Sequence, residues 1–212
     1  MLYKIKMKRI LKISVLIILL IGCKNYSQER EDQFDNSKIS MHTVPESKIS
    51  FILPKEYSKK SSIEYKEMIL NSNINEESKI NMIIELSKLE NQFSNMEIFV
   101  DTITLINLVF LTKGPYIKLN KKNAELAVQA YTQIYSNPNL QGNDEKILET
   151  KLISRSQYKY VKVKVRTENH EGKKGILSHY LISTKNKTFG LSVLNTNGDD
   201  FQELINRIRI VN

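Results

Sequence analysis

The chain has 212 residues, 41% of them apolar, with 7 glycines, 4 prolines, 3 histidines and a single cysteine, and its formal net charge is +9. That composition excludes a low-complexity or collagen-like chain, and one thiol excludes an intramolecular disulfide framework. The positive charge is unevenly placed. Five of the 32 basic residues lie before Cys23 and none of the 23 acids does, so the remainder carries +4. That modest excess, in a chain read below as exported, does not point to nucleic acid as a partner.

The first 12 residues hold Lys4, Lys6, Lys8, Arg9 and Lys12 and no acid, and Ile13 to Ile21 is apolar except for Ser14. A run of this length falls well short of the ~20 helical residues that cross a bilayer. A basic leader, a short apolar core and a small residue form the order of a secretory signal peptide. No Ala-x-Ala-like cleavage site follows. Instead Leu20, Ile21 and Gly22 lead directly into Cys23. These four residues resemble the lipobox of bacterial lipoproteins. The resemblance implies that residues 1–22 are removed and that Cys23 receives a diacylglyceryl group on sulfur, with acylation of the new amino terminus. Two or more acyl chains make a lasting anchor, because one chain binds only marginally. A plain secretory peptide with an incidental cysteine, or an uncleaved anchor, would share the leader but not the lipobox. The expected location is the extracytoplasmic side of a bacterial membrane, periplasmic or at the cell surface.

Residues 24–46 are polar, with scattered Tyr26, Phe34, Ile39, Met41 and Val44 and no sustained period. They read as a disordered tether. A single domain is expected over residues 47–212. Ile49-Ser50-Phe51-Ile52-Leu53-Pro54 alternates and then stops at proline, as a strand does. Residues 61–73 leave helix and strand both open around Ile63 to Leu70. Asn75-Glu76-Glu77 opens a helix, with a capping Asn and two acids in the positive first turn. Its apolar residues, Ile80, Met82, Ile83, Ile84, Leu86, Leu89 and Phe93, cover more than half the cylinder, which predicts burial between layers. Met96 to Val100 and Leu105 to Leu111 read as strands. The second is apolar on both faces, as a covered central strand is. Gly114-Pro115 turns the chain. Asn120 caps a helix to about Ser136, with Ala124, Ala127, Val128, Tyr131 and Ile134 on one face and Asn137-Pro138 ending it.

From Lys146 the pattern becomes a meander of strands at Ile147 to Ile153, Tyr158 to Thr167, Ile176 to Ser183 and Thr188 to Leu194. The turns fall at Asn169-His170-Glu171-Gly172 and Lys185-Asn186. In the second of these strands Val161, Val163 and Val165 face one way and Tyr160, Lys162, Lys164 and Arg166 the other, a half-buried pattern. Gly198-Asp199-Asp200 opens a last helix, with Phe201, Leu204, Ile205 and Ile208 as its stripe and Arg207 and Arg209 at its negative end.

The Ile-Ser-Phe-Ile-Leu-Pro strand, the central hairpin, Gly114-Pro115-Tyr116-Ile117 with its helix, the meander and the closing apolar helix together resemble the PsbP-like family. That fold is shared by a photosystem II extrinsic protein, a Ran guanine-nucleotide release factor and many bacterial lipoproteins. The resemblance implies an α+β fold, an antiparallel β-sheet flanked by helices in an α/β sandwich. It also implies a binding or accessory domain, not an enzyme, although one fold hosts many functions.

Chemistry-bearing motifs are sparse. His42, His170 and His179 are scattered over tether, turn and strand with no ligand spacing, so no metal and no cofactor is expected. No serine stands in a Gly-x-Ser-x-Gly elbow. Gly172-Lys173 lacks the glycines of a phosphate loop. Asp199 and Asp200 open a helix, and capping accounts for at least one of them. One local rule is broken. Lys121 and Lys122 occupy the positive first turn of a helix, where each cation costs about 0.3–1 kcal/mol. Helix amino termini are natural anion sites, so Tyr116, Lys118, Lys121 and Lys122 form one candidate surface for an anionic partner. The row Tyr160, Lys162, Lys164 and Arg166 forms a second. Each set also reads as ordinary solvated lysines. The expected function is non-catalytic binding of an envelope protein or anionic envelope component. A hydrolase of envelope polymers, and an immunity or inhibitor protein with a dedicated partner, are the alternatives.

Overall fold

The computed structural model describes residues 36–45, 48–93, 95–135, 146–168, 174–196, 198 and 201–210. The chain divides into two compact units, Met1–Ile39 and Ser40–Asn212. Of the first, the described residues show a 3-10 turn over Asn36–Lys38. The leader, Cys23 and the polar loop 137–145 lie outside the described residues.

The second unit is built on a seven-stranded sheet. Its strands are β3 (Tyr57–Lys60), β4 (Met96–Asp101), β5 (Leu108–Gly114), β6 (Lys146–Ser154), β7 (Lys159–Glu168), β8 (Lys174–Ser183) and β9 (Thr188–Asn195). The order is β3-β4-β5-β9-β8-β7-β6 and each neighbouring pair is antiparallel. A smaller sheet, β1-β2-β10, holds β1 (Ile39–Val44), β2 (Ile49–Pro54) and β10 (Arg209–Ile210). Among the described residues four helices complete the unit: α1 (Ser62–Leu70), α2 (Glu76–Gln92), α3 (Lys121–Tyr135) and the single turn α4 (Gln202–Ile205).

The large sheet is apolar on both faces, so both need cover. On one face Ile98, Val100 and Leu108 pack with Tyr65 and Ile69 of α1 and Leu86 of α2. Further along the same face Val161, Val163 and Val165 pack with Ala124 and Val128 of α3. The other face carries buried Phe99, Val109, Leu111, Tyr160, Tyr180, Ile182, Phe189, Leu191 and Val193. The small sheet and α4 serve this face. Phe51 meets Phe99 edge-on with ring centroids 5.1 Å apart, and Tyr57 meets Phe201 at 5.4 Å. The expected α+β sandwich is therefore observed, with β5 central and covered on both sides.

Local chemistry sets the helix starts. Ser61 and Glu64 form a reciprocal capping box, Glu64 N donating to Ser61 Oγ (3.2 Å) and Ser61 N to Glu64 Oε2 (2.7 Å). This decides the undetermined segment in favour of helix. Asn75 and Asn120 cap as expected, accepting from Ser78 N and Asn123 N, each at 2.8 Å.

Several expectations are corrected. Ile39–Val44, read as tether, is strand β1, because pairing with β2 gives its backbone groups partners and Val44 a buried site. Helix α2 is not buried between layers. Met82, Ile83 and Leu86 face the core, whereas Ile80, Ile84 and Phe93 are 57%, 46% and 41% exposed. Strand β5 begins at Leu108 and not at Leu105. Asp101 Oδ1 accepts from Ile103 N and Thr104 N, Asp101 Oδ2 accepts from Asn107 Nδ2, and Asn107 N donates to Thr104 O. These bonds hold 101–107 as a turn and withdraw Leu105 and Ile106 from the strand.

The closing helix lasts one turn, so Ile208 and Arg209 are not helical. Arg209 and Ile210 instead pair with Ser50 and Ile49. Phe201, Leu204, Ile205 and Ile208 are nevertheless all buried. Asp199 and Asp200 lie outside the described residues.

The ring contacts of Phe99 join the two sheets, so Phe99→Ala should lower the unfolding free energy by about 3–5 kcal/mol. A urea titration will show this as a lower midpoint at constant slope.

Candidate functional site

Strand register determines which cations meet. Gly114 pairs with Thr188, Thr188 with Ser183, Ser183 with Lys159, and Lys159 with Ser154. Five strands thus present their ends together, β5, β6 and β8 finishing where β7 and β9 begin. The segment leading into α3 is stitched to the same end. Ile117 N donates to Thr188 Oγ1 (2.8 Å), and Ile117 O accepts from Ser183 Oγ (2.5 Å) and Thr188 Oγ1 (3.3 Å). Buried Leu119 fixes the loop to the core, and Asn123 Nδ2 donates to Lys118 O (2.8 Å).

The result is a basic end of the domain. Lys113, Lys118, Lys121 and Lys122 are exposed there, and Tyr116 is half exposed. Register adds Arg155, Lys159, Lys185 and Lys187 from the neighbouring strand ends and turns. The segments 113–124, 154–160 and 183–190 contain no Asp or Glu. The amino terminus of α3, carrying about half a positive charge, belongs to the same end. Charges of one sign spaced within a Debye length of ~8 Å reinforce one another's field. Lys185 and Lys187 were not marked by sequence pattern, since only the β8–β9 hairpin brings them to α3.

The row on β7 does not form one surface. Arg166 is exposed, Lys164 is half-buried, and Tyr160 and Lys162 are buried, at 0% and 1% exposure. Alternation placed these side chains on one face correctly, but α4 covers part of that face. Lys162 Nζ donates to Gln202 Oε1 and contacts Glu149 Oε2, each at 2.7 Å. Gln202 Nε2 donates to Tyr160 OH (3.1 Å), which in turn donates to Asn206 Oδ1 (2.8 Å). Glu149 also pairs with Lys151. Contacts with Lys151 and Lys162 hold the Glu149 carboxyl below its ordinary range, and burial raises the Tyr160 phenol. A buried lysine must be paired or lose its charge. Glu149 and Gln202 supply the partners, and in doing so they fasten α4 to the sheet.

The histidines are separate. His42 lies against Phe51 and Phe99, with ring centroids 6.1 and 5.1 Å away. His179 is enclosed between sheet and α3, stacked on Tyr131 at 4.8 Å. Its Nδ1 hydrogen-bonds Ser192 Oγ (2.8 Å) and its Nε2 meets Tyr135 OH. His170 is outside the described residues. An open groove of about 540 Å³ lies beside edge strand β3. Its acids are engaged, Glu64 by the Ser61 cap and Glu97 by Lys59. Among the described residues no group of three or more His, Cys, Asp or Glu side chains could hold a metal ion. Among the same residues no helix is long and apolar enough to cross a membrane.

This arrangement of layers is known from solved structures. The solution structure of cyanobacterial PsbP (CyanoP) from Synechocystis sp. PCC 6803 superposes with a TM-score of 0.51 at 6% identity, covering 84% of this chain and 95% of that one. The fold is therefore the PsbP-like α/β sandwich. A crystal structure of a protein from Bacteroides thetaiotaomicron VPI-5482 aligns at a TM-score of 0.45 and 9% identity, over 82% of this chain and 48% of that one. No protein-family model matches the chain, and no curated protein matches it by sequence.

Burial lowers the His179 pKa to about 4. The unfolded chain takes up this proton near pH ~6.5, so between these values the unfolded state binds more protons. Stability from His179 is complete above that range and falls as pH drops toward 4, by on the order of 3 kcal/mol. His179→Gln should flatten this slope in urea titrations at pH 7 and pH 4.5. The residual slope, to which lowered His42 contributes, should persist.

Proposed function

We propose that this chain is a lipid-anchored extracytoplasmic lipoprotein whose PsbP-like domain is a non-catalytic binding module for an anionic component of the cell envelope. The observation that carries the reading is the convergence of Lys113, Lys118, Lys121, Lys122, Lys159, Lys185 and Lys187 at one end, from segments free of acids. A surface of this kind draws in anions over a range set by ionic strength and holds them with little demand on shape. Its lysines break the dipole rule at α3, a local cost that binding an anion relieves. The lipobox-like Leu20-Ile21-Gly22-Cys23 supports the anchor, with residues 1–22 as signal peptide. Lipid on Cys23 holds the domain at the membrane, and the binding end then acts on envelope material near it.

The reading excludes a catalytic role for the basic end. Lysines, Arg155 and one tyrosine supply attraction there, and the segments 113–124, 154–160 and 183–190 hold no carboxylate or histidine to move a proton.

The test uses the full chain and immobilised polyphosphate as a probe anion. Binding should weaken steeply with salt, and the triple variant Lys118→Glu, Lys121→Glu, Lys122→Glu should lose about tenfold or more in affinity. Its melting temperature should hold or rise, since acids suit the first turn of α3. Lys55→Glu with Lys88→Glu serves as the charge control. Equal binding by triple variant and control would remove the basic end from the proposal. Separately, Cys23→Ser should release the protein from the membrane fraction. A Cys23→Ser form that stays with the membrane would remove the lipid anchor.

A further inference from the structure

Among the described residues, strand β6 ends the seven-stranded sheet and has only β7 beside it. It is the long open edge, nine residues against four in β3 at the other side. Open edges template further pairing, and proteins blunt them with lysines, short strands or bulges. Strand β3 is short and ends in Lys59-Lys60. Strand β6 carries Lys146, Lys151 and a bulge near its start, but it also keeps two leucines outward, Leu148 at 39% and Leu152 at 43% exposure.

Its sequence, Lys146-Ile-Leu-Glu-Thr-Lys-Leu-Ile-Ser154, reads almost as a palindrome about Thr150. Laid antiparallel against a copy of itself with Thr150 opposite Thr150, it sets Glu149 against Lys151 twice and Leu148 against Leu152 twice. Alternation from the paired residues Thr150 and Leu152 places Leu148, Thr150 and Leu152 on one face and Glu149 and Lys151 on the other. The pairing therefore makes an apolar seam on one side and two ion pairs on the other. Shifted registers are penalised. Centring on Lys151 opposes like cations, and centring on Glu149 opposes like acids. The bulge between Ile147 and Glu149 limits the ladder, because Ile147 turns inward to the cluster under α3.

From this self-complementarity of charge and apolar pattern we infer that two copies of the chain associate through β6, antiparallel about Thr150, as an isologous two-fold dimer with a continuous fourteen-stranded sheet. The contact is a short ladder with a narrow seam, so the dimer is concentration-dependent, and confinement to a membrane surface favours it. This inference does not depend on the basic end or on the lipid.

Thiol cross-linking tests it, in the full chain carrying Cys23→Ser so that no other thiol is present. Opposed residues of an antiparallel pair sit ~4.5–5.5 Å apart at Cα, within the ~4.4–6.8 Å that a disulfide spans. Thr150→Cys should form a disulfide dimer with itself. Leu148→Cys and Leu152→Cys should each remain monomeric alone and cross-link when mixed. Adding Lys151→Glu, which opposes four acids across the seam, should weaken dimerisation roughly tenfold by sedimentation of the Thr150 form without cross-linking. Circular dichroism melting will confirm that this exposed substitution leaves the domain folded. The inference is overturned if Thr150→Cys cross-links no more than Lys88→Cys on α2. It is equally overturned if Leu152→Cys joins to itself as readily as Thr150→Cys does.

Discussion

A seven-stranded antiparallel sheet that is apolar on both faces must be covered twice, and the rest of the domain answers that requirement. Helices α1 to α3 cover one face. The small sheet and the single turn α4 cover the other. With both faces buried, the surfaces left for partners are the strand ends, the outer sides of the helices and the two sheet edges. The basic end and the edge strand β6 lie among these surfaces, while the faces are spent on cohesion.

Covering the second face has an electrostatic consequence. The cation Lys162 projects into it from β7, and leaving such a charge unpaired would cost several kcal/mol. The protein keeps the charge and surrounds it with Glu149, Gln202 and the Tyr160–Asn206 pair. Glu149 belongs to β6, Gln202 to α4 and Asn206 to the C-cap of α4, elements that would otherwise be edge and tail. One buried lysine thus ties the end of the chain to the far side of the sheet. The same contacts remove Tyr160 and Lys162 from the list of residues that meet a ligand.

The basic end shows the opposite arrangement. Lys113, Lys118, Lys121, Lys122, Lys159 and Lys185 are exposed there, and the acids that neutralise lysines elsewhere, as in Lys66–Glu90 and Lys88–Glu85, are missing from its segments. Like charges held together cost folding free energy. Under the proposed function, binding an anionic partner would return that cost.

By itself the sequence determined the lipobox-like segment as an expectation, the order and kind of most elements, and the face on which each strand residue points. Those properties depend on local spacing: a period of 2 in β7 and β9, a capping Asn before α2 and α3, and a cysteine after a short apolar run. The Ser-x-x-Glu pattern at Ser61 and Glu64 is local as well, yet residues 61–73 stay open between helix and strand until the structure shows the capping box. Tertiary structure decided what no local rule can carry. It made Ile39–Val44 a strand because β2 lay beside it, ended the last helix after one turn because Arg209 and Ile210 found Ser50 and Ile49, and took Leu105 out of the strand because Asp101 and Asn107 bonded across the loop, leaving it packed against the core from a turn. It separated the two lysine sets as well. Those near α3 stayed in water and gathered Lys185 and Lys187, while Lys162 disappeared under Gln202, because alternation assigns a side chain to a face and only packing decides whether that face meets water.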